Sequence, residues 1–122
     1  MKDINNIRID TNFILSEFQC PCCGRVMIHP DLLKRLAKLR LRIQEPIYIN
    51  SGYRCKAENK HVGGTKASYH TFGMAADIEV KNTDLLNLAQ LAESVGFNGI
   101  GIYGNFLHLD VRPKKYHWSG LS

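Results

Sequence analysis

Residues 99–111, GIGIYGNFLHLDV, give the clearest indication of the fold. Two runs of β-forming side chains, Ile100 to Tyr103 and Phe106 to Val111, flank the dipeptide Gly104-Asn105, which is typical of a tight hairpin. We therefore predict two antiparallel strands joined by this turn. On the second strand, alternation puts Phe106, His108 and Asp110 on one face and Leu107, Leu109 and Val111 on the other.

Working outward from the hairpin, the chain predicts two helices and two further strands. One helix runs from Asp31 to about Arg42 and is opened by Pro30, and the other runs from about Asp84 to Val95, with Asn82 or Thr83 as its N-cap and Gly96 as its stop. The strands are expected at 46–50 and at 75–80. Together these elements predict an α+β domain, a small antiparallel sheet with flanking helices.

The segments between and around these elements are predicted to be irregular. Residues 1–19 are expected to form an irregular or weakly extended lead-in, loosely ordered over 1–12 and anchored by apolar side chains such as Phe13 and Phe18. Ser51 to Ala67 is predicted to be a polar loop. The tail from Arg112 to Ser122 is predicted to be mostly irregular.

Composition indicates one soluble globular domain spanning 1–122. The 122 residues leave no room for a second core, and 44% hydrophobic with 22% charged residues excludes a disordered tail, a fibre and a membrane protein. The net charge of +5 is compatible with an anionic partner such as nucleic acid or a bacterial wall. The N-terminus lacks a signal-peptide pattern, so we expect synthesis in the cytoplasm.

The polar face of the hairpin suggests a metal site. His108 and Asp110 should point into a cleft, and Asp77 lies on the face of its strand opposite to Ile78. His70 precedes Asp77 by seven residues, in a loop that must turn sharply at Gly73. Two imidazoles and one carboxylate form a three-ligand zinc site with a position left for water, suited to amide hydrolysis. The alternative is surface histidines beside a core-edge aspartate.

The residues around His70 also resemble a known family. Ser68 to Asp77, SYHTFGMAAD, matches the S-x-H-x-x-G-x-A-x-D pattern of the D-alanyl-D-alanine carboxypeptidase family of zinc peptidases. The segments 51–54 (SGYR), 59–64 (NKHVGG), 99–103 (GIGIY) and 106–112 (FLHLDVR) resemble further family motifs, so that the resemblance covers about 13–118. It is closest to the short, single-domain branch found in phages and prophages.

The resemblance implies roles for individual residues. His70, Asp77 and His108 would be the ligands of one zinc ion. Arg54 would hold the scissile carbonyl oxygen or a substrate carboxylate, since its guanidinium offers a charged fork of donors; otherwise it is a surface arginine. Ser68 would bind the substrate backbone or simply cap a local turn.

One position departs from related branches of that family. The D,D-dipeptidases and the L-alanyl-D-glutamate peptidases carry a glutamate as general base three residues before the second zinc histidine, where this chain has Asn105. Asp110 is then either the general base or an acceptor that orients a ligand imidazole. His117 is a further candidate for the base, if the tail folds back over the cleft.

The cysteines Cys20, Cys22, Cys23 and Cys55 leave several hypotheses open. The segment from Cys20 to Gly24 resembles half a zinc knuckle, which Cys55 and His61 would complete as a second metal site. Reduced cysteines packed against the core are the alternative. A disulfide scaffold is not expected without an export signal.

We therefore predict a monomeric zinc metallopeptidase that cleaves peptidoglycan stem peptides, similar to the D-alanyl-D-alanine carboxypeptidases, with no nucleic-acid or membrane partner. It would act at the bacterial cell wall after release or as a phage component. The alternatives are an L-alanyl-D-glutamate endopeptidase and an inactive zinc-binding module, as in hedgehog signalling domains. A nucleic-acid-binding protein that uses the cysteine knuckle and the basic face of Lys34 to Arg42 is a further alternative.

Overall fold

The structure, a computed structural model, describes residues 4–64 and 68–120. Within these ranges the chain forms three α-helices, α1 (Pro30–Ile43), α2 (Lys56–His61) and α3 (Leu85–Ser94). It also forms seven strands, β1 (Arg8–Asp10), β2 (Phe13–Ile14), β3 (Tyr48–Ser51), β4 (Ala75–Glu79), β5 (Gly99–Ile102), β6 (Leu107–Asp110) and β7 (Tyr116–Ser119). Short 3-10 helices cover Leu15–Phe18 and Tyr69–Phe72. The predicted α+β class is confirmed.

Five strands form the main sheet, in the order β3-β4-β6-β5-β7. The first four are antiparallel to their neighbours, and β7 pairs with β5 in parallel. The prediction of a mostly irregular tail was therefore wrong for Tyr116–Ser119. The strand forms because the outer edge of β5 offers unpaired backbone groups. The indole of Trp118 adds a hydrogen bond to the Tyr103 hydroxyl at 3.0 Å.

The core lies between the sheet and the helices α1 and α3. Pro30 is the first residue of α1, as predicted, and His29 caps it by accepting a hydrogen bond from the Asp31 amide. The helices contribute Leu32, Leu36, Leu39, Leu88 and Ala92, and the sheet contributes Ile78, Ile100, Leu107 and Leu109, all of them buried. No helix within the described ranges is long and apolar enough to cross a membrane.

Two local details differ from the sequence prediction. Helix α2 occupies part of the predicted polar loop, and the last residues of that loop, 65–67, lie outside the described residues. The N-cap of α3 is Asp84, whose carboxylate accepts from the Asn87 amide at 2.9 Å. Neither Asn82 nor Thr83 caps that helix. The Asn82 backbone amide and the Thr83 hydroxyl both donate to the carboxylate of Glu45.

The lead-in, predicted to be irregular or weakly extended, contains regular secondary structure. Strands β1 and β2 pair, and the side chains of Phe13 and Phe18 are buried in the core, as expected of anchors. The Phe18 carbonyl accepts a hydrogen bond from the Tyr53 amide at 2.8 Å. A Cβ at Gly52 would collide with the Phe18 backbone, so this close approach requires glycine. The lead-in thereby fixes the loop that follows β3.

Candidate active site

The three predicted zinc ligands meet at the polar face of the sheet. Asp77 on β4 and His108 on β6 are direct register partners, and His70 comes from the 3-10 helix that precedes β4. Asp77 Oδ1 lies 3.2 Å from His70 Nε2 and 3.1 Å from His108 Nδ1. One potential ligand atom from each residue falls within 4.8 Å of the other two. This is the spacing that a single metal ion can bridge.

The backbone around His70 holds its imidazole in place. The Ser68 hydroxyl accepts from the His70 amide at 3.2 Å, and Gly73 ends the turn with a left-handed φ of 68°. His70 Nδ1 lies 2.7 Å from the Gly52 carbonyl oxygen. Because a carbonyl can only accept, Nδ1 carries the proton. His70 Nε2 therefore presents a lone pair to Asp77.

Asp110 holds His108 by its other ring nitrogen, Nε2, whereas His70 is held by Nδ1. The Asp110 side chain is fully buried, and Oδ2 lies 2.7 Å from His108 Nε2. Burial alone would raise the pKa of Asp110, but hydrogen bonds from Arg112 and His108 outweigh burial and lower it to about 2. Asp110 is thus an ionised acceptor for the Nε2 proton, which leaves the His108 Nδ1 lone pair facing Asp77 Oδ1.

Two imidazole lone pairs and a carboxylate oxygen consequently converge on one point. Three acceptors at such distances require a cation or a proton between them. Without a metal, a proton lies between each imidazole and Asp77, and the imidazoles donate instead of accepting. In that state burial would lower the pKa of His108, but its hydrogen bonds to Asp110 and Asp77 raise it above the usual value. The pKa of Asp77 is held well below its usual range, because hydrogen bonds from both imidazoles outweigh burial. A nitrogen and oxygen donor set of this kind fits zinc.

Arg54 lies beside this cluster and is held by three side chains. Its guanidinium donates to Ser51 Oγ at 3.0 Å, to Asn59 Oδ1 at 3.3 Å and to Asp77 Oδ2 at 3.1 Å. Asn59 is a buried residue of α2, so the unpredicted helix positions one of these acceptors. The contact with Asp77 uses the carboxylate oxygen that does not face the histidines. Arg54 is therefore adjacent to the cluster without competing for the ligand atoms.

A cleft of about 780 Å³ opens over the cluster. Its lining includes five aromatic side chains that the sequence did not indicate as site residues: Tyr69, Tyr103, Phe106, Tyr116 and Trp118. The Trp118 ring centroid lies 5.1 Å from that of His108. We call these five side chains the aromatic wall.

Two glycines of β5 make room on this face of the sheet. A Cβ at Gly99 would overlap the Asp110 carboxylate, and a Cβ at Gly101 would overlap the Trp118 indole. The glycine repeat at 99 and 101 was therefore a sequence signal for bulky side chains packed over β5.

Comparison with known proteins agrees with the geometry. Residues 11–110 match the family Peptidase M15. The chain belongs to this family. Peptidoglycan L,D-endopeptidase MepK of Escherichia coli (strain K12) is 35% identical over 100 residues, which cover 75% of this chain and 54% of MepK. The probable MepK of Haemophilus influenzae is 28% identical over 102 residues, again 75% of this chain and 54% of that protein. Zinc D-Ala-D-Ala carboxypeptidase of Streptomyces albus G is 39% identical over 56 residues, 46% of this chain and 22% of that protein.

These relatives bear out the predicted family, and they are longer proteins. The M15 chain described here spans about half the length of the MepK proteins it matches.

The remaining predicted residues of the M15 site lie at different distances from the cleft. Ser68 lines it. The prediction that Asp110 points into the cleft was wrong, because its carboxylate is fully buried beneath His108, where it accepts from His108 and Arg112, and it is absent from the described lining. Asn105 sits in the exposed hairpin turn. The tail does fold back, but His117 is on the face of β7 that packs beside Ile100 and Ile102, in a separate depression. The structure thus brings His70, Asp77, His108, Arg54 and Ser68 to the cleft and His117 to another surface.

Proposed function

We propose that this chain is a zinc-dependent peptidase that hydrolyses an L,D peptide bond in peptidoglycan stem peptides, such as L-alanyl-D-glutamate. The observation that carries the proposal is the convergence of three acceptor atoms from His70, Asp77 and His108 on one point under an open cleft. The MepK proteins, with which the chain shares its longest matches given above, are L,D-endopeptidases by name.

A D-alanyl-D-alanine carboxypeptidase, as predicted from the sequence, is the second candidate. The 39% identity to the Streptomyces albus enzyme over 56 residues favours it. A carboxypeptidase must also bind the terminal carboxylate of its substrate, for which a cation is the usual partner. Among the described residues that line the cleft, the arginines Arg54 and Arg112 are both paired with buried aspartates, at 3.1 and 2.6 Å. Neither pairing uses all five N–H groups of a guanidinium, so the endopeptidase is placed first because of the longer matches to the MepK proteins.

The mechanism follows from where each side chain lies. His70 Nε2, His108 Nδ1 and Asp77 Oδ1 would hold the zinc ion. The chemistry that such a site supplies when zinc is bound is polarisation of a carbonyl and activation of water. Arg54, fixed by Ser51 and Asn59, would donate to the carbonyl oxygen as negative charge develops on it.

For Asp110 we propose orientation of His108 and not proton transfer from water. The carboxylate is fully buried beneath the imidazole and already accepts hydrogen bonds from His108 and Arg112. A pKa of about 2 makes it a poor base near neutral pH. Ser68 caps the His70 turn and also lines the cleft, so we propose that its hydroxyl contacts the substrate backbone.

The test is digestion of purified peptidoglycan, followed by mass spectrometry of the released fragments. Zinc-loaded protein should release fragments whose masses place the cut at an L,D bond, and a chelator should abolish the release. His70→Ala should be inactive, while His61→Ala, at an exposed histidine that is not among the described residues lining the cleft, serves as the matched control.

Two other outcomes would contradict the proposal. Loss of the terminal D-alanine alone would make the protein a carboxypeptidase. Stoichiometric zinc without any cleavage would make it an inactive metal-binding module.

A further inference from the structure

All four cysteines of the chain lie on two segments that meet beside the active-site loop. Cys20, Cys22 and Cys23 follow the first 3-10 helix, and Cys55 follows Arg54. Cys20 is buried, Cys55 is half-buried, and their Sγ atoms are 3.6 Å apart. The Sγ atoms of Cys20, Cys22 and Cys55 all lie within 4.8 Å of one another. Residues separated by 35 positions are thus brought to one point.

The local backbone presents the thiols of the first segment towards Cys55. The Gly24 amide donates to the Cys20 carbonyl at 2.9 Å, and the Cys20 amide donates to the Arg25 carbonyl at 2.7 Å. Gly24 has a left-handed φ of 73°, which a residue with a side chain adopts poorly. This tight turn carries Cys20 and Cys23 at the Cys-x-x-Cys-Gly spacing of a zinc knuckle.

The separation between the thiols matches metal ligands better than a disulfide. A disulfide requires sulfur atoms about 2.05 Å apart. Four thiolates in a tetrahedron with Zn–S bonds of about 2.3 Å have sulfur atoms about 3.8 Å apart. The observed 3.6 Å between Cys20 Sγ and Cys55 Sγ is close to the tetrahedral value.

We propose that Cys20, Cys22, Cys23 and Cys55 form a second, structural zinc site, separate from the His70–Asp77–His108 cluster. Thiolates are the soft ligands that select zinc, and a set of four closes the coordination shell without a position for substrate. Three of the four Sγ atoms already lie within 4.8 Å of one another, and Cys23, on the same tight turn as Cys20, would supply the fourth thiolate. His61, the other candidate from the sequence, is exposed and is the last residue of α2, whereas Cys55 caps the start of that helix.

This site ties down the loop that serves the active site. The Gly52 carbonyl accepts a hydrogen bond from His70 Nδ1, and the Arg54 guanidinium donates to Asp77. Cys55 belongs to the thiol cluster and also caps α2, since its Sγ accepts from the Glu58 amide. A metal at the four thiols would link this loop to the lead-in. The cysteine site would therefore position Arg54 without touching substrate.

The experiment is metal analysis of the full chain purified under reducing conditions and saturated with zinc. Wild-type protein should bind two zinc ions, whereas His70→Ala, Cys20→Ser and Cys55→Ser should each bind one. Substitution with Co²⁺ assigns the sites, because thiolate ligation gives charge-transfer absorption in the near ultraviolet. That absorption should be present in His70→Ala and lost in Cys55→Ser, and His61→Ala should retain both ions.

A measurement on wild-type protein keeps the proposal testable if the serine variants do not fold. Titration with a mercurial reagent, which reacts with thiolates, should release one of the two zinc ions. Two results would overturn the proposal. One is a single zinc ion per wild-type chain with no thiolate absorption after cobalt substitution. The other is a Cys20–Cys55 disulfide in the chain as purified, shown after zinc removal by an intact mass lower by two hydrogens and by a peptide map that joins the two cysteines.

Discussion

Replacing Asp110 with asparagine changes one buried acceptor while leaving the side-chain shape intact. Asp110 Oδ2 accepts from His108 Nε2 and from Arg112 at 2.6 Å, and Oδ1 accepts from the Arg112 side chain at 2.8 Å and its amide at 3.1 Å. Every oxygen of the carboxylate therefore faces N–H donors. In Asp110→Asn one oxygen becomes an NH₂ group, so a donor meets a donor in either orientation of the amide.

The magnitude follows from these contacts. Loss of the carboxylate makes the His108 imidazole less basic and less well oriented, which should weaken zinc binding by about 10- to 100-fold, or about 1.4 to 2.7 kcal/mol. The unmade hydrogen bond should lower the free energy of unfolding of the zinc-free protein by about 1 to 3 kcal/mol. Activity should recover largely when zinc is added in excess.

Zinc affinity is measured by competition with a chelating dye, and stability by urea denaturation of the zinc-free protein. Asp84→Asn is the matched control: it is the same chemical change at the N-cap of α3, where asparagine caps as well as aspartate. It should leave zinc affinity unchanged. If Asp110→Asn keeps wild-type zinc affinity while turnover at saturating zinc falls by about 10²- to 10⁴-fold, the residue is the general base and the orienting role is refuted.

Three further predictions test other parts of the molecule. Arg54→Ala should keep zinc, since Arg54 contacts only Asp77 Oδ2, the oxygen that does not face the histidines, while turnover falls by about 10² or more. Arg54→Lys should recover part of the loss. Turnover of Arg54→Ala within a few-fold of wild type would make the residue dispensable. Gly101→Ala should displace the single tryptophan, Trp118, and lower the free energy of unfolding by about 1 to 3 kcal/mol, seen as altered tryptophan fluorescence and a lower urea midpoint; unchanged fluorescence would contradict the packing described here. Leu36→Ala should lower the free energy of unfolding by about 2 to 5 kcal/mol, because Leu36 is fully buried, whereas Leu41→Ala on the same helix, at a side chain 71% exposed, should change it by less than about 0.5 kcal/mol.

The features that sequence predicted well depend on local patterns. Alternation along 106–111 correctly opposed His108, which lines the cleft, to the buried Leu107 and Leu109, but Asp110 on the His108 side is fully buried as well and does not reach the cleft. Helix α1 begins at Pro30 and buries Leu32, Leu36 and Leu39, as the spacing of its apolar residues indicated. The family motif put His70 and Asp77 in one site, and their side chains lie 3.2 Å apart. His108, which is distant in sequence, joins them because β6 pairs with β4.

The features that sequence did not predict depend on contacts between distant segments. Helix α2 has six residues, too few for a hydrophobic period to show. Strand β7 forms because β5 has a free edge, which nothing in 112–122 alone reveals. The aromatic wall follows from that pairing, since the register of β7 places Trp118 over Gly101. Local patterns and the family motif therefore indicated the three proposed ligands, and long-range pairing builds the cleft around them.

The same distinction explains why the two histidines are suited to one metal ion. Each imidazole has its outer nitrogen bound to an acceptor from another part of the fold, the Gly52 carbonyl for His70 and the Asp110 carboxylate for His108. These acceptors fix which nitrogen keeps its proton when a metal binds, so the nitrogens that would become ligands already face Asp77. Gly52 can lie against the Phe18 backbone, where its carbonyl reaches His70, because it has no Cβ. The Asp110 carboxylate can lie beneath His108 because Gly99 also has no Cβ. We therefore expect the glycines at 52 and 99 to be as necessary to zinc binding as the three proposed ligands, although neither would touch the ion.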